Sequence, residues 1–394
     1  MKMMKRVLAV LLVLSLSACL FAGCGGSSAN GDAANVIKIG VFEPQTGENG
    51  GGGFQEVLGI RYANKVYPTV KLGDKEYTVE LVEVDNKSDK TEAVTAANYL
   101  VSQGVSLVLG SYGSGVSIAA GDIFAGAGIP AIGCSCTNPQ VTEGNDYYFR
   151  VCFLDPFQGT VMAHYAINQN AKSAAVITQL GDDYSVGLGE YFKNAFTELG
   201  GTIVSEQQFQ TNESDFNAIL AGVKAANPDI IFAPSSITTA PLLIKQARAM
   251  GITAKIMAGD TWENATIIDN AGKDAEGILI STFFDDADPA TEEAKSFVEG
   301  FKPFLAENKQ GEIIPAVSAL GYDAYLTAIK ALEAAGSTDG EAIKTALAGL
   351  TVTGVTGEFG FDKNGDATKD MAVVKTVENG AFKFLENVYV KDIK

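Results

Sequence analysis

The feature that most limits this chain is a rhythm of short apolar, β-branched runs and longer helix-like stretches, sustained from Val36 to the C-terminus. Strand-like runs at 37–42, 77–84, 105–109 and 129–132 alternate with helix-like stretches at about 54–66, 89–102 and 114–127. A Gly-rich segment, Gly47 to Gly53, reads as a loop ahead of the first helix. After Asp155 the rhythm restarts, with helices at 156–169, 183–199, 214–226 and 238–250 and strands at 174–178, 202–207, 229–233, 255–258 and near 277–282. Helices at about 290–307, 315–335 and 339–349 follow. The chain then closes with a hairpin of 371–377 and 380–388, turned by Asn379-Gly380, a pair suited to positive φ at both turn positions. Strands separated by crossover helices predict mostly parallel sheets flanked by helices. Two such units of similar length predict an α/β protein of two lobes.

The N-terminus has a different character. Residues 1–6 carry three positive charges, residues 7–22 form one apolar run, and Gly23-Cys24 leads into a Gly-, Ser-, Asn- and Ala-rich stretch to about residue 35. A basic start, a short apolar core and small residues before a cysteine describe an export signal. The run is also shorter than the roughly 20 apolar residues of a spanning helix. Leu20-Phe21-Ala22-Gly23-Cys24 resembles the bacterial lipobox, in which cleavage leaves a lipid-bearing cysteine first. Leu16-Ser17-Ala18-Cys19 fits the same pattern, but Cys24 is followed directly by polar linker and Cys19 by apolar Leu20 and Phe21. The expectation is a signal over 1–23, lipidation at Cys24, a linker over 24–35 and a folded remainder outside the membrane, held at its outer face. A plain secretory signal is the alternative.

Charge and cysteine content narrow the function. The 394 residues include 29 basic and 47 acidic side chains. Removing the signal takes the net charge from −18 to about −21, which argues against nucleic acid as a partner. Cys134, Cys136 and Cys152 are an odd number and read as small, partly buried residues. One CxC pair and a single histidine make a poor zinc site, so no metal or other cofactor is expected.

In open parallel sheets, ligands sit beyond the carboxyl ends of the strands. Two turns there have the right chemistry. Gly110-Ser111-Tyr112-Gly113-Ser114-Gly115 joins a strand to a helix, where free N–H groups favour an anion. No lysine follows, so one carboxylate suits it better than a polyphosphate. Gly133-Cys134-Ser135-Cys136-Thr137-Asn138-Pro139 offers two hydroxyls after the next strand. From the other half, Gly259-Asp260-Thr261-Trp262 presents a carboxylate at a strand end. Each could also be an ordinary capped loop.

The set IKIGVFEPQTG (37–47), GSYGSGVS (110–117), GIPAIGCSCTNPQVT (128–142), FRVCFLDPFQG (149–159), DDYSVGLGEYFKNAF (182–196), KQARAMGI (245–252) and GYDA (321–324) resembles the branched-chain amino-acid binding proteins of ABC uptake systems. The likeness runs from about Ile37 to the C-terminus and implies a type I periplasmic-binding-protein fold. Such a fold has two flavodoxin-like lobes joined by three crossover strands, here 36–153 with about 284–352, and 154–283 with about 353–394. It implies that Ser114 and Thr137 hold the ligand's α-carboxylate, with Ser135 and Cys136 beside it. Asp260, where the family often has Glu, would hold the ammonium, and Tyr184 would reach in from the second lobe. Tyr112 stands where a smaller apolar residue is usual, Gly52 near a common aromatic with Phe54 a possible substitute, and Ser236 or Ile237 at another aromatic position. The implied partners are a small amino acid and the permease and ATPase subunits of a transporter, served by a monomer.

Other classes fit less well. His164 lies in a helix-like stretch, and no GxSxG surrounds a serine, so an enzyme is not expected. Asp362, Asn364 and Asp366 imitate a calcium loop, but Ala367 and Val373 replace its glycine and its last acid. A binder of amides, urea derivatives or aromatic acids, or a ligand-sensing ectodomain, remains within the same fold.

Overall fold

The computed structural model describes residues 35–311 and 313–393. The expected export signal and both candidate lipobox cysteines lie outside the described residues. The first lobe holds β1 (Val36–Glu43), α1 (Gly50–Val66), β2 (Thr69–Leu72), β3 (Lys75–Asp85), α2 (Lys90–Ser102), β4 (Leu107–Leu109), α3 (Ser114–Gly126), β5 (Ala131–Gly133) and β6 (Tyr148–Arg150). The second holds α4 (Asp155–Asn168), β7 (Ser173–Leu180), α5 (Asp183–Glu198), β8 (Thr202–Gln210), α6 (Asn217–Ala226) and β9 (Ile230–Phe232). It continues with α7 (Ala240–Ala249), β10 (Lys255–Ala258), α8 (Ala265–Ala271) and β11 (Leu279–Thr282). The chain returns to the first lobe with α9 (Glu292–Glu307), α10 (Ala316–Ala335), α11 (Gly340–Ala348) and the hairpin β12 (Thr351–Gly354) and β13 (Gly357–Gly360). It ends in the second sheet with β14 (Met371–Glu378) and β15 (Ala381–Tyr389).

Strand order is β2-β3-β1-β4-β5-β6 in one sheet and β15-β14-β11-β10-β9-β7-β8 in the other. Pairing is parallel except at β2, β14 and β15. The parallel parts are doubly wound, as expected for an α/β protein of two lobes. The order reverses between β1 and β4 in one lobe and between β7 and β9 in the other, which puts a ligand crevice at those strand ends. Three crossings join the lobes, at residues 151–154, 283–291 and 361–370. Phe153 and Phe283 from the first two meet with ring centroids 4.3 Å apart, so the crossings are packed on each other.

Several local expectations change. The glycines at 50–53 open helix α1 instead of forming a loop. A Cβ on Gly52 would come within 2.3 Å of the Tyr112 ring, and one on Gly53 within 2.2 Å of the Pro44 carbonyl. The glycines therefore let this turn press against its neighbours rather than loosening it. Deeper in the same helix, a Cβ on Gly59 would lie 1.9 Å from the Ser318 carbonyl, and one on Gly321 of α10 would lie 2.3 Å from that of Glu56. Helices α1 and α10 thus touch backbone to backbone. Strands β2 and β6, the β12–β13 hairpin and α8 escape sequence reading because they are short and lean on tertiary partners. The return to the second lobe, expected near residue 353, falls later. Asp323 of α10 takes the Val355 and Thr356 N–H groups at 2.6 and 2.9 Å and holds the hairpin on the first lobe. At the C-terminal turn Asn379 and Gly380 have φ of +55° and +74°, as the sequence requires. All three described cysteines are free, and they are fully buried rather than partly so. No helix among the described residues is long and apolar enough to cross a membrane.

One buried cation organises the loop after β5. Arg150, wholly buried, donates from Nη1 to the Cys136 and Asn138 carbonyls, both at 2.6 Å. Its Nη2 reaches the Thr142 hydroxyl at 2.7 Å and the Pro139 carbonyl at 3.3 Å. Its Nε meets Asp366 at 2.6 Å. The Asp366 carboxylate that imitated a calcium ligand is therefore committed to Arg150 and Thr142. Removing one partner of such a pair strands the other. Arg150→Met is expected to lower unfolding free energy by about 3–5 kcal/mol, read as a fall in the urea midpoint at unchanged slope. A loss under about 1 kcal/mol would mean the loop holds itself.

Candidate ligand-binding site

The site lies where the strand ends of the two lobes face each other, and the lobes are in contact across it. Glu48 accepts from Gln179 Nε2 at 2.9 Å, and Asn49 Oδ1 from the Ile237 N–H at 3.1 Å. Asn138 Nδ2 donates to the Asp183 carbonyl at 2.8 Å, and Lys90 pairs with the Asp183 carboxylate at 2.7 Å. The Tyr112 hydroxyl donates to the Thr261 carbonyl at 3.3 Å. A cleft of about 240 Å³ remains between Glu48, Asn49 and Gly113 of one lobe and Gln179, Asp182 and Thr211 of the other. This is a closed arrangement.

Ser114 opens helix α3, directly after the glycine-rich turn. Its hydroxyl accepts the Asn138 N–H at 3.2 Å and so ties the two sequence-predicted loops of the first lobe together. Ser135 donates to the Tyr112 carbonyl at 3.5 Å, a weak bond between the same loops. Thr137 is fully buried, and its hydroxyl has only the Asp155 carboxyl beside it, with no hydrogen bond formed at normal length. Such a group is costly to leave unpaired, and a ligand can satisfy it. Tyr112 is buried above Gly52, and its ring fills the space that a side chain at Gly52 would need.

From the second lobe, Asp260 is buried and its Oδ1 accepts from Gln158 Nε2 at 2.7 Å and from the Tyr184 hydroxyl at 3.1 Å. Gly259 leaves room for this, since a Cβ there would sit 2.3 Å from the Tyr184 oxygen. Burial pushes the Asp260 carboxyl up to about 6, against the opposing pull of the Gln158 and Tyr184 hydrogen bonds. Asp155, at the first crossing, is also fully buried with both oxygens unpartnered, and burial raises it well above the carboxylate range. Among the described residues no Lys, Arg or His forms an ion pair with Asp260 or Asp155. The neighbouring acid Glu263 differs, for its carboxylate pairs with Lys375.

The structure brings Tyr112, Ser114, Ser135 and Thr137 together on one wall and Tyr184 and Asp260 on the facing one. It does not give Cys136 or Ser236 the same standing. The Cys136 sulfur fills the space over Gly133, in a cluster with Phe42, Phe124 and Tyr148, so its side chain serves the core. The Ser236 hydroxyl donates to Thr239 at 2.9 Å, while its N–H goes to Gln179. Sequence reading missed Gln158, which fixes Asp260, and Arg150, which shapes the loop bearing Thr137. Gln158 had a faint signal: it follows Asp155 by three residues and precedes Met162 by four, on the buried stripe of α4.

Comparison with known proteins identifies the family and the fold. A family model described as periplasmic binding protein matches residues 36–381. A crystal structure of a leucine-binding protein from Thermotoga maritima is 37% identical with a TM-score of 0.85, covering 90% of this chain and 99% of that one. A Streptococcus pneumoniae branched-chain amino-acid transporter substrate-binding protein, solved with isoleucine, is 30% identical with a TM-score of 0.81, at 90% and 99% coverage. An amino acid binding protein of Pseudomonas aeruginosa is 30% identical over 353 residues, 88% of this chain and 91% of its own length. These are binding proteins rather than enzymes. On the match over 36–381 and the two facing walls of its cleft, the chain belongs to the periplasmic binding protein family.

Proposed function

We propose that this protein captures a small L-amino acid, of branched-chain or similar apolar type, between its lobes and delivers it to the permease of an ATP-driven uptake system. The observation that carries the reading is Asp260: a buried carboxylate at the lobe interface whose side-chain partners, Gln158 and Tyr184, are neutral. A buried anion of this kind calls for a cation, and an α-ammonium supplies one. On the facing wall, the Ser114 and Thr137 hydroxyls and the N-terminus of α3 suit an α-carboxylate. With the two charges of the zwitterion met by opposite lobes, only the closed form satisfies both, and ligand shifts the population towards closure. Tyr112 over Gly52 shortens the space for the side chain, which favours small apolar groups. The names of the relatives, leucine- and amino-acid-binding, support the same class. We take the lobes as residues 36–153 with about 284–370, and 154–283 with about 371–394. Exported and lipid-anchored at Cys24, the protein would work as a monomer at the outer face of the membrane.

A thermal-shift screen of ligand-stripped protein against L-amino acids, aromatic acids and amides tests the class. Saturation about a hundredfold above the dissociation constant adds about 2.7 kcal/mol of stability, so Leu, Ile or Val should raise the midpoint clearly. Stabilisation only by acids without an ammonium would remove the role given to Asp260. Asp260→Ala is expected to weaken binding at least about tenfold, or about 1.4 kcal/mol, with the unfolding midpoint of the ligand-free protein retained or raised. Wild-type affinity in calorimetry would refute the assignment. The pH dependence has a definite sign. Protonation of Asp260, whose carboxyl is raised to about 6, competes with the ligand's ammonium. The Asp260 contribution to affinity should therefore be constant from neutrality upward and fall about tenfold per unit below pH 6, and Asp260→Asn should abolish that acid-side slope. For the anchor, Cys24→Ala should move the protein from the membrane to the soluble fraction and Cys19→Ala should not; the reverse would move the lipid to Cys19.

A further inference from the structure

Behind the Tyr112 turn lies a second group of buried acids that the binding chemistry above does not use. Glu43 ends β1 and Glu56 sits on α1, and both are fully buried. A carboxylate oxygen of each and the Cys134 sulfur all lie within 4.8 Å of one another. Glu43 Oε2 accepts the Tyr112 N–H at 2.7 Å and, more weakly, the Ser111 hydroxyl at 3.4 Å. Its Oε1 has no donor, and neither oxygen of Glu56 has one. Three unpartnered carboxylate oxygens in one dry pocket would be prohibitive for two anions. A single hydrogen between the carboxyls pairs two of the three oxygens and removes one of the two charges, since a protonated acid is itself a donor.

We infer that Glu56 and Glu43 form a proton-sharing carboxyl pair that positions the Tyr112 and Ser135 segments of the ligand site and keeps the wall facing Asp260 from carrying two more negative charges. Glu56 is the acid and Glu43 the acceptor. The Tyr112 N–H and Ser111 stabilise charge on Glu43, whereas Glu56 has only the Ser135 hydroxyl beside it and feels both Glu43 and Asp260 as like charges. Burial raises both carboxyls, and Glu43 raises Glu56 further. The other titratable groups facing the pair are Tyr112, Cys134, Cys136 and Tyr148, all buried and themselves raised, so none supplies a counter-charge. Helix α10 meets the Glu56 backbone at Gly321, where a Cβ would lie 2.3 Å from the Glu56 carbonyl oxygen. When the shared proton is lost, the Glu56 O–H bond breaks, the proton passes to solvent and two carboxylates remain. They repel each other and Asp260, which loosens the Tyr112 turn and opposes closure.

The sign follows from linkage. A carboxyl raised in the folded state binds a proton that the unfolded chain has released, so its stabilising effect is lost as pH rises from the unfolded value through the folded one. The test uses the ligand-free mature protein between about pH 6 and pH 9, with L-leucine as the binding probe. The wild-type melting midpoint should fall across this range, and Glu56→Gln, a permanently neutral donor of the same shape, should make that fall shallower, with buried Asp155, raised in the same way, keeping the remainder. Glu56→Ala should be destabilised throughout. In wild-type protein carrying carboxyl-¹³C glutamate, one resonance absent from Glu56→Gln should still report a protonated acid near pH 7, far above the ordinary value of about 4.3. Equal pH slopes in wild type and Glu56→Gln, or glutamates that all titrate near the ordinary value, would overturn the inference. The inference rests on the amino-acid reading only for its binding arm, where wild-type affinity for L-leucine should decline at the alkaline end more steeply than that of Glu56→Gln. Absence of leucine binding with the midpoint and resonance results intact would count against that reading and leave the pair standing.

Discussion

Arg150 carries a full charge where no water reaches it, and the carbonyls of Cys136, Asn138 and Pro139, the Thr142 hydroxyl and the Asp366 carboxylate replace that water. The loop from Gly133 to Thr142 has almost no regular structure to hold it, so its shape is the shape of this coordination. Thr137 is thereby fixed in the middle of the loop, and its neighbour Asn138 reaches Ser114 on one side and Asp183 of the other lobe on the other. Asp366 comes from the segment where the chain makes its last crossing, so the same ion pair ties that crossing to the site. A guanidinium suits this work because its planar donors point in several fixed directions at once.

Charge burial is the theme of the molecule. Besides Glu48 and Asp182 at the rim of the cleft, five buried acids stand in or behind it: Glu43, Glu56, Asp155, Asp260 and Glu263. Only Glu263 has a cation, Lys375, and this pair sits beside the α10 N-terminus and the second crossing, where Glu263 also accepts from Thr282 and Ala316. It braces the hinge. The remaining acids are left for neutral donors, for a shared proton or for a ligand's ammonium. On the proposed reading, a site built this way would make the closed form expensive until a cation enters, and ligand would thereby control closure.

The two walls also differ in how they were assembled. In the first lobe the specificity wall is steric: glycine on α1 and a tyrosine on the facing turn take up one another's space, so a change at Gly52 or Tyr112 is felt at both. In the second lobe it is a chain of hydrogen bonds, Gln158 and Tyr184 onto Asp260, with Gly259 leaving the gap in which they meet. A packed ring selects by size, whereas an oriented carboxylate selects by charge. On the proposed reading, the two walls would divide recognition between the side chain and the headgroup.

The sequence alone determined what depends on near neighbours. Alternating strand and helix periods fixed two α/β lobes, Asn379-Gly380 fixed the last hairpin, and the short motifs marked Ser114, Thr137, Tyr184 and Asp260 at strand ends. Tertiary structure decided everything that depends on approach between distant segments. The glycines at 50–53 looked like a loop because propensity counts only the local backbone, yet Tyr112 and Pro44 need that helical turn bare. Tertiary packing also directs the Cys136 sulfur into the core and the Ser236 hydroxyl to Thr239 at the start of α7. Arg150, Gln158, Glu43 and Glu56 were unremarkable in the chain. They matter because folding removed water from them, and a group's need for a partner arises only once that water is gone.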